Sequence, residues 1–234
     1  MRLLAITPPA AVAPELDSAL VDAWVEGGAD AGQLAVLLRE PGASARASLG
    51  DARFRHLRLA LARHELPTLV SVDPRQHEPE VLAPILARAQ PALAGVQLRG
   101  DPSPDVVQRW REVLGDAALI GRSVHGLEPH PCPAASYTCL APIFAPRTRL
   151  PGDRKRPIGL EGLRRWSSST PGLLALGGVS TANAPTCLAA GAVGVAGIRL
   201  FFGRSDEAGH NVAALVAALA AAPPRVSDVS PPSG

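Results

Sequence analysis

Eight short apolar runs, separated by helix-like stretches at a fairly even spacing, constrain the fold of this chain more than any other feature. They lie at residues 3–7, 34–39, 68–72, 95–98, 118–124, 137–143, 173–176 and 193–196. Their near-continuous Leu, Val, Ile and Ala content suits parallel strands covered on both faces. Helices are expected at residues 15–27, 51–64, 78–89, 105–114, 160–168, 181–190 and 206–221. Several carry apolar residues at i, i+3 and i+4, as Val106, Val107, Trp110, Val113 and Leu114 do. A right-handed series of eight such βα units closes most simply as a (β/α)8 TIM barrel, with an open doubly wound sheet as the competing topology. The 234 residues suffice for one such domain, which we place at 1–222. Residues 223–234 are rich in Pro and Ser, lack a face to bury, and are expected to be a disordered tail.

One crossover breaks the pattern. Between the fifth and sixth strands, Pro129, Pro131 and Pro133 leave no room for a regular helix, so the fifth helix should be lost or reduced to one turn. That loss would bare apolar barrel surface near Tyr137 and Cys139. A patch of that kind commonly marks an interface, so cover by a partner subunit, a homodimer with contacts in residues 126–136, is expected, with the chain's own C-terminal segment as the weaker alternative.

Charge and composition narrow the function. A formal net charge of +2 gives no footing for a nucleic-acid partner, and 3% aromatic content argues against base stacking and carbohydrate platforms. The positive charge is almost all arginine, since Lys155 is the sole lysine. No apolar run approaches a membrane span, and the first apolar segment is too short for a signal peptide before Pro8 interrupts it. Cys132, Cys139 and Cys187 are odd in number and lack CxxC spacing, which points to reduced thiols in a cytoplasmic protein and away from zinc.

Chemistry should gather where strands end. The fifth strand delivers Ser123 and His125 to its C-terminal tip, the face of a parallel barrel that carries active sites. Histidine alone titrates near neutrality unperturbed, so His125 is the candidate acid/base, against the blander alternative of a core histidine bonded to a carbonyl. Gly177-Gly178 follows the seventh strand and Gly197-Ile198-Arg199 ends the eighth. Glycines there let backbone N–H groups approach a phosphate, and Arg199 adds a cation; tight turns alone are the alternative. Asp73 and Asp101 sit at strand ends, where carboxylates hold metals or simply cap turns. His56, His64 and His210 read as surface residues, His130 as a solvated loop histidine, and residues 147–156 as a basic flap.

These residues resemble the thiamine phosphate synthase/TenI family. The likeness rests on Ile120-Gly121-Arg122-Ser123-Val124-His125, on residues 137–144, on Pro157-Ile158-Gly159-Leu160-Glu161-Gly162-Leu163, on Leu174 to Val179 with Asn183, and on Gly191-Ala192 with Gly194-Val195-Ala196. It covers most of residues 1–203 and implies a barrel acting in thiamin biosynthesis. The family's synthase branch couples a pyrimidine diphosphate to a thiazole phosphate with Mg²⁺. It carries a Gln and a Lys flanking the second-strand Arg, an Asn-Asp pair after strand three, an Asp after strand four and a Thr-x-Thr-Lys loop after strand six. Here Arg39 is flanked by Leu37 and Pro41, Val72 precedes Asp73, Asp101 is one position out of register, and Thr148-Arg149 replaces Thr-Lys. The TenI branch, a thiazole tautomerase, shares the Gly-Arg-Ser-Val-His stretch and uses its histidine as acid/base without metal.

The resemblance therefore implies a tautomerase that aromatises a small phosphorylated thiazole, a thiazole carboxylate phosphate, by moving a proton. His125 would move the proton, with Arg39, Ser123, Thr148 and Arg149 on the substrate. Gly177, Gly178, Gly197, Ile198 and Arg199 would hold its phosphate. No cofactor is expected; Mg²⁺ on Asp73 and Asp101 belongs only to the alternative, a divergent synthase. A third alternative is a phosphate-ligand-binding barrel without turnover.

Overall fold

The computed structural model describes residues 1–12, 16–145 and 156–222. Eight parallel strands close in sequence order: β1 (Leu3–Ile6), β2 (Leu34–Leu38), β3 (Thr68–Val72), β4 (Gly95–Leu98), β5 (Leu119–Val124), β6 (Tyr137–Leu140), β7 (Leu173–Leu176) and β8 (Gly194–Gly197). The first and last pair through Leu3 with Val195 and Leu4 with Ala196, which completes the expected TIM barrel and excludes the open sheet. Successive side chains point to opposite faces of a strand. Leu4, Leu37, Leu69, Tyr137, Cys139 and Leu174 therefore fill the barrel lumen. Their neighbours, such as Leu3, Val36, Val70, Val96 and Ile120, face the helical layer.

That layer comprises α1 (Ser18–Glu26), α2 (Ala45–Gly50), α3 (Ala52–Arg63), α4 (Pro79–Ala87), α5 (Pro104–Leu114), α6 (Gly159–Ser167), α7 (Ala184–Ala189) and α8 (Ser205–Ala221). Side-chain caps fix several starts: Asp17 accepts from the Leu20 N–H at 3.0 Å, and Ser103 from that of Val106 at 3.4 Å. Trp24 locks α1 to the segment before α8. Its ring meets Phe202 edge-on at 5.3 Å, and its Nε1–H donates to the Phe201 carbonyl at 2.8 Å. Two local features differ from expectation. The short α2, begun by a Ser44 side-chain cap, precedes α3, and β6 stops at Leu140, before Pro142 whose nitrogen has no hydrogen to donate.

No helix joins β5 to β6, as the three prolines require, yet the gap is not bare. Tyr137 and Cys139 face the lumen, and the outward Thr138 and Leu140 are equally buried. The cover is Arg122, which projects outward from β5 with no exposed surface. Its Nε donates to Thr138 Oγ1 at 3.1 Å, its Nη2 donates to the His130 carbonyl at 2.6 Å, and its guanidinium lies 5.9 Å from the Trp166 ring centroid. Neighbouring helices staple the rest of the loop. Trp166 of α6 donates to the Gly126 carbonyl at 3.0 Å, and Arg111 of α5 donates to the Ala134 carbonyl at 3.1 Å and to Ser136 Oγ at 2.9 Å. The inference from prolines to an uncovered patch was therefore wrong: a loop cannot form helical hydrogen bonds but still covers a surface when a long side chain satisfies its carbonyls. The apolar surface that motivated a dimer there is absent.

The proposed tail, 223–234, and the proposed flap, 147–156 apart from Arg156, lie outside the described residues. Among the described residues no helix is long and apolar enough to cross a membrane.

Candidate active site

The C-terminal strand ends bring together most of the residues singled out from the sequence. His125 follows β5, and Asp101 lies in the turn after β4. The Asp101 carboxylate grips His125 twice. It accepts the backbone N–H at 2.7 Å through Oδ1, and its Oδ2 lies 2.9 Å from Nδ1. With Nδ1–H donated to the carboxylate, Nε2 is the ring nitrogen left without a protein partner among the described residues. The sequence explains this aim: Gly100 and Asp101 both adopt the left-handed region, at φ 85° and 56°, which Gly and Asp tolerate best. Asp101 thus orients a histidine, a role its spacing alone did not reveal.

Ser123, also from β5, faces the lumen and accepts from Gln97 Nε2 at 3.0 Å. Beneath them Gln97 Oε1 and the Tyr137 hydroxyl are buried without a protein partner among the described residues. Both crowd Gly121, where an added Cβ would come within 2.2 Å of Gln97 Oε1 and Tyr137 Cζ. Burial pushes the neighbouring Cys139 thiol up to about 12, which leaves it inert near neutrality.

Across β2 to β4 the site is cationic. Asp73, at the end of β3, takes a two-pronged grip from Arg75, with Nε at 2.9 Å from Oδ1 and Nη2 at 2.8 Å from Oδ2. Arg99 approaches the same carboxylate at 3.9 Å. Hydrogen bonding to Arg75 holds the Asp73 carboxyl down at about 2, against the opposing effect of desolvation. Arg39 extends the cluster; burial and the nearby Arg99 charge both lower its pKa. Its backbone is fixed by the buried Thr7, whose Oγ1 accepts the Arg39 N–H at 2.8 Å. Neither Arg75 nor Arg99 was anticipated. The available signal was register: Arg99 stands two residues beyond Gln97, on the same strand face.

β7 and β8 lie across the barrel from β3 and β4. Gly177 and Gly178 adopt φ values of 91° and 65° and pack against the loop after β6, where an added Cβ would lie 2.7 Å from Pro142 Cβ or Phe144 Cβ respectively. Asn183 ties that loop by accepting the Ser180 N–H at 2.8 Å and donating to the Gly178 carbonyl at 3.1 Å. Gly197 and Ile198 are half-buried beside it and Arg199 is exposed. These glycines serve close packing and line the mouth as well.

Thr148 and Arg149 fall outside the described residues. His130 is not near this group: its ring packs edge-on against Trp166 at 5.0 Å on the outer layer. His56 and His210 are exposed, and His64 pairs with Asp22 at 2.7 Å.

A joint metal site on Asp73 and Asp101 does not fit this donor set. The oxygens of Asp73 are engaged by Arg75, those of Asp101 by His125, and a second guanidinium stands beside Asp73. Among the described residues no three His, Cys, Asp or Glu side chains gather as a metal would require.

The family model described as Thiamine monophosphate synthase matches residues 3–201. A thiamine-phosphate synthase of Chloroflexus aurantiacus is 32% identical over 204 residues, covering 83% of this chain and 82% of that one. Another, of Albidiferax ferrireducens, is 39% identical over 107 residues, 44% of this chain and 47% of its own. The thiamine phosphate pyrophosphorylase of Pyrococcus furiosus superposes with a TM-score of 0.63 at 24% identity, covering 94% and 95% of the two chains. Relatives that carry the synthase name correct the expectation of a tautomerase. The structure shows why the Gly-Arg-Ser-Val-His stretch misled. Gly121 is small to admit Gln97 and Tyr137, Arg122 seals the outer gap, and Val124 packs in the helical layer, so three of the five residues serve the barrel itself.

Proposed function

Because the chain belongs to the thiamine monophosphate synthase family, we propose that it is an enzyme of thiamin biosynthesis that joins a pyrimidine diphosphate to a thiazole phosphate. The observation that carries this reading is the pairing of two anion-receptive regions on opposite sides of one mouth. Arg39, Arg75 and Arg99 gather after β2, β3 and β4, and the glycine loops follow β7 and β8. Three guanidinium groups after β2 to β4 suit the several charges of a diphosphate better than the single carboxylate that a tautomerase substrate carries beside its phosphate.

In the reaction, the carbon–oxygen bond to the diphosphate breaks and its electron pair leaves with the diphosphate. A lone pair of the thiazole forms the new bond to that carbon. Arginines facing the diphosphate stabilise the charge that grows on its oxygens. The glycine loops would seat the thiazole phosphate, and Arg199 would add a cation at that rim. His125, held by Asp101, presents Nε2 to a substrate N–H or O–H group, and Ser123 adds a hydroxyl beside it.

Incubating the purified chain with both half-substrates should release pyrophosphate and thiamine phosphate in equal amounts, with none from either substrate alone. No product across a range of Mg²⁺ concentrations, including zero, would overturn the assignment.

A further inference from the structure

The synthase branch places a divalent cation where the diphosphate leaves, and this chain has something else there. Arg75 grips Asp73 through Nε and one Nη2 hydrogen, leaving three of its five N–H donors free. Its guanidinium also lies 3.2 Å from the point where a Gly100 Cβ would sit, in the turn that carries Asp101. It therefore holds one of the two strand-end carboxylates that would have shared a metal, and its charge is felt by the other, Asp101. Arg99 flanks Asp73 at 3.9 Å, and Arg39 is close enough to Arg99 for their charges to repel. Arg39 forms no ion pair among the described residues, and the adjacent Glu40 pairs with Arg53 at 3.1 Å. Like charges drawn together without enough carboxylates to neutralise them are unfavourable unless a multiply charged anion joins them.

We propose that the guanidinium groups of Arg75 and Arg99, oriented by Asp73, receive a diphosphate directly and replace the divalent cation. This rests on the reading of the chain as a diphosphate-displacing synthase and deepens it. Planar guanidinium groups match phosphate oxygens in pairs and need no deprotonated ligands, so the site keeps its charge at every physiological pH. When the carbon–oxygen bond breaks, the electron pair moving onto the diphosphate is met by N–H donors already in place. Asp73 is a positioning residue here: it fixes the plane of Arg75 and does not touch the ligand.

The test uses inorganic pyrophosphate as probe and the full chain, by calorimetric titration. Binding should persist in excess EDTA and gain nothing from millimolar Mg²⁺, which only sequesters the free pyrophosphate. Arg75→Ala should weaken it by about tenfold or more in EDTA, the worth of one charged hydrogen bond. Arg75→Lys should restore little, since a point charge cannot reproduce the fork. Mn²⁺ titration of the protein alone, followed by electron paramagnetic resonance, should show no bound metal in the wild type, and bound metal appearing only in Arg75→Ala, where Asp73 is released. Pyrophosphate binding that requires Mg²⁺, binding indifferent to Arg75→Ala, or Mn²⁺ bound to the wild type would each overturn the proposal. Thermal melts of both variants check that they remain folded, and Arg75 is an exposed side chain whose loss leaves no cavity. The two readings fail separately. Metal-free pyrophosphate binding without any coupled product would remove the synthase assignment and leave this inference standing; Mg²⁺-dependent coupling would do the reverse.

Discussion

Two regions of this barrel use an arginine where a different structural element would be expected, and they use it in opposite ways. On the outer wall between β5 and β6, Arg122 fills the space of a missing helix; at the mouth, Arg75 occupies the strand-end carboxylate of Asp73 that a metal would need. Arg122 has no exposed surface and bonds only to neutral acceptors, the Thr138 hydroxyl and the His130 carbonyl. The Arg75 side chain is 74% exposed and grips a buried carboxylate. A guanidinium sealed among neutral acceptors holds structure: Nε and Nη2 of Arg122 donate to a hydroxyl and a backbone carbonyl, Nη1 is buried without a partner among the described residues, and the aliphatic stem packs. One that keeps free donors at a concave, accessible mouth is available to a ligand.

The largest expected effect tests the structural half of that contrast. Arg122→Ala strips the His130 carbonyl and the Thr138 hydroxyl of their partner and opens a cavity against Trp166. The loss should be roughly 3 kcal/mol by chemical denaturation. Arg122→Met, which keeps most of the volume, should recover part of it. Both variants, once folded, should keep wild-type pyrophosphate affinity. Stability unchanged in Arg122→Ala would mean that the loop is held by Arg111 and Trp166 alone.

A smaller effect is expected at the mouth. Asp101→Asn removes the negative charge that faces Nδ1 of His125 and loses one of the two oxygens, at 3.1 and 2.9 Å, that share that contact. Coupling should slow by about tenfold, the worth of one charge-assisted hydrogen bond of about 1.5 kcal/mol, while stability barely moves. A variant with full activity would show that His125 needs no fixed orientation, and a variant that is active but markedly unstable would make Asp101 a structural residue like Arg122.

How far each region was legible in the sequence follows from the same physics. The barrel was legible because eight apolar runs leave few ways to bury themselves, and local prolines forbade the fifth helix outright. Its cover was not, because Arg122 lies in a strand whose pattern cannot tell a solvated charge from one closed over by a distant loop. At the mouth, strand-end position marked Asp73, Asp101, Ser123 and His125, and the family resemblance marked Arg39. Pairing was invisible there: the contact of Asp101 with His125 spans 24 residues and depends on a left-handed turn. The branch of the family was misread for a related cause, since packing demands at Gly121 and Arg122 resembled a catalytic signature.

The smallest effect separates the two arginines by pH. Folding holds the Asp73 carboxyl at about 2, below its ordinary 3.8, so the pair with Arg75 adds stability that is fully present above about pH 4 and is lost as pH falls toward 2. Asp73→Asn lacks that contribution. Its stability deficit against the wild type should therefore shrink between pH 5 and 2.5 (about 1 kcal/mol or less in all, since solvent screens an exposed guanidinium). The deficit of Arg122→Met should stay constant over the same window, because neither the His130 carbonyl nor the Thr138 hydroxyl titrates there. Thermal melts of the three proteins across that range decide the matter. A constant deficit for Asp73→Asn would show that Arg75 is not held by the ionised carboxylate. One that varies with pH for Arg122→Met would reveal a titrating partner beside the buried guanidinium, and the distinction drawn between the two arginines would fall.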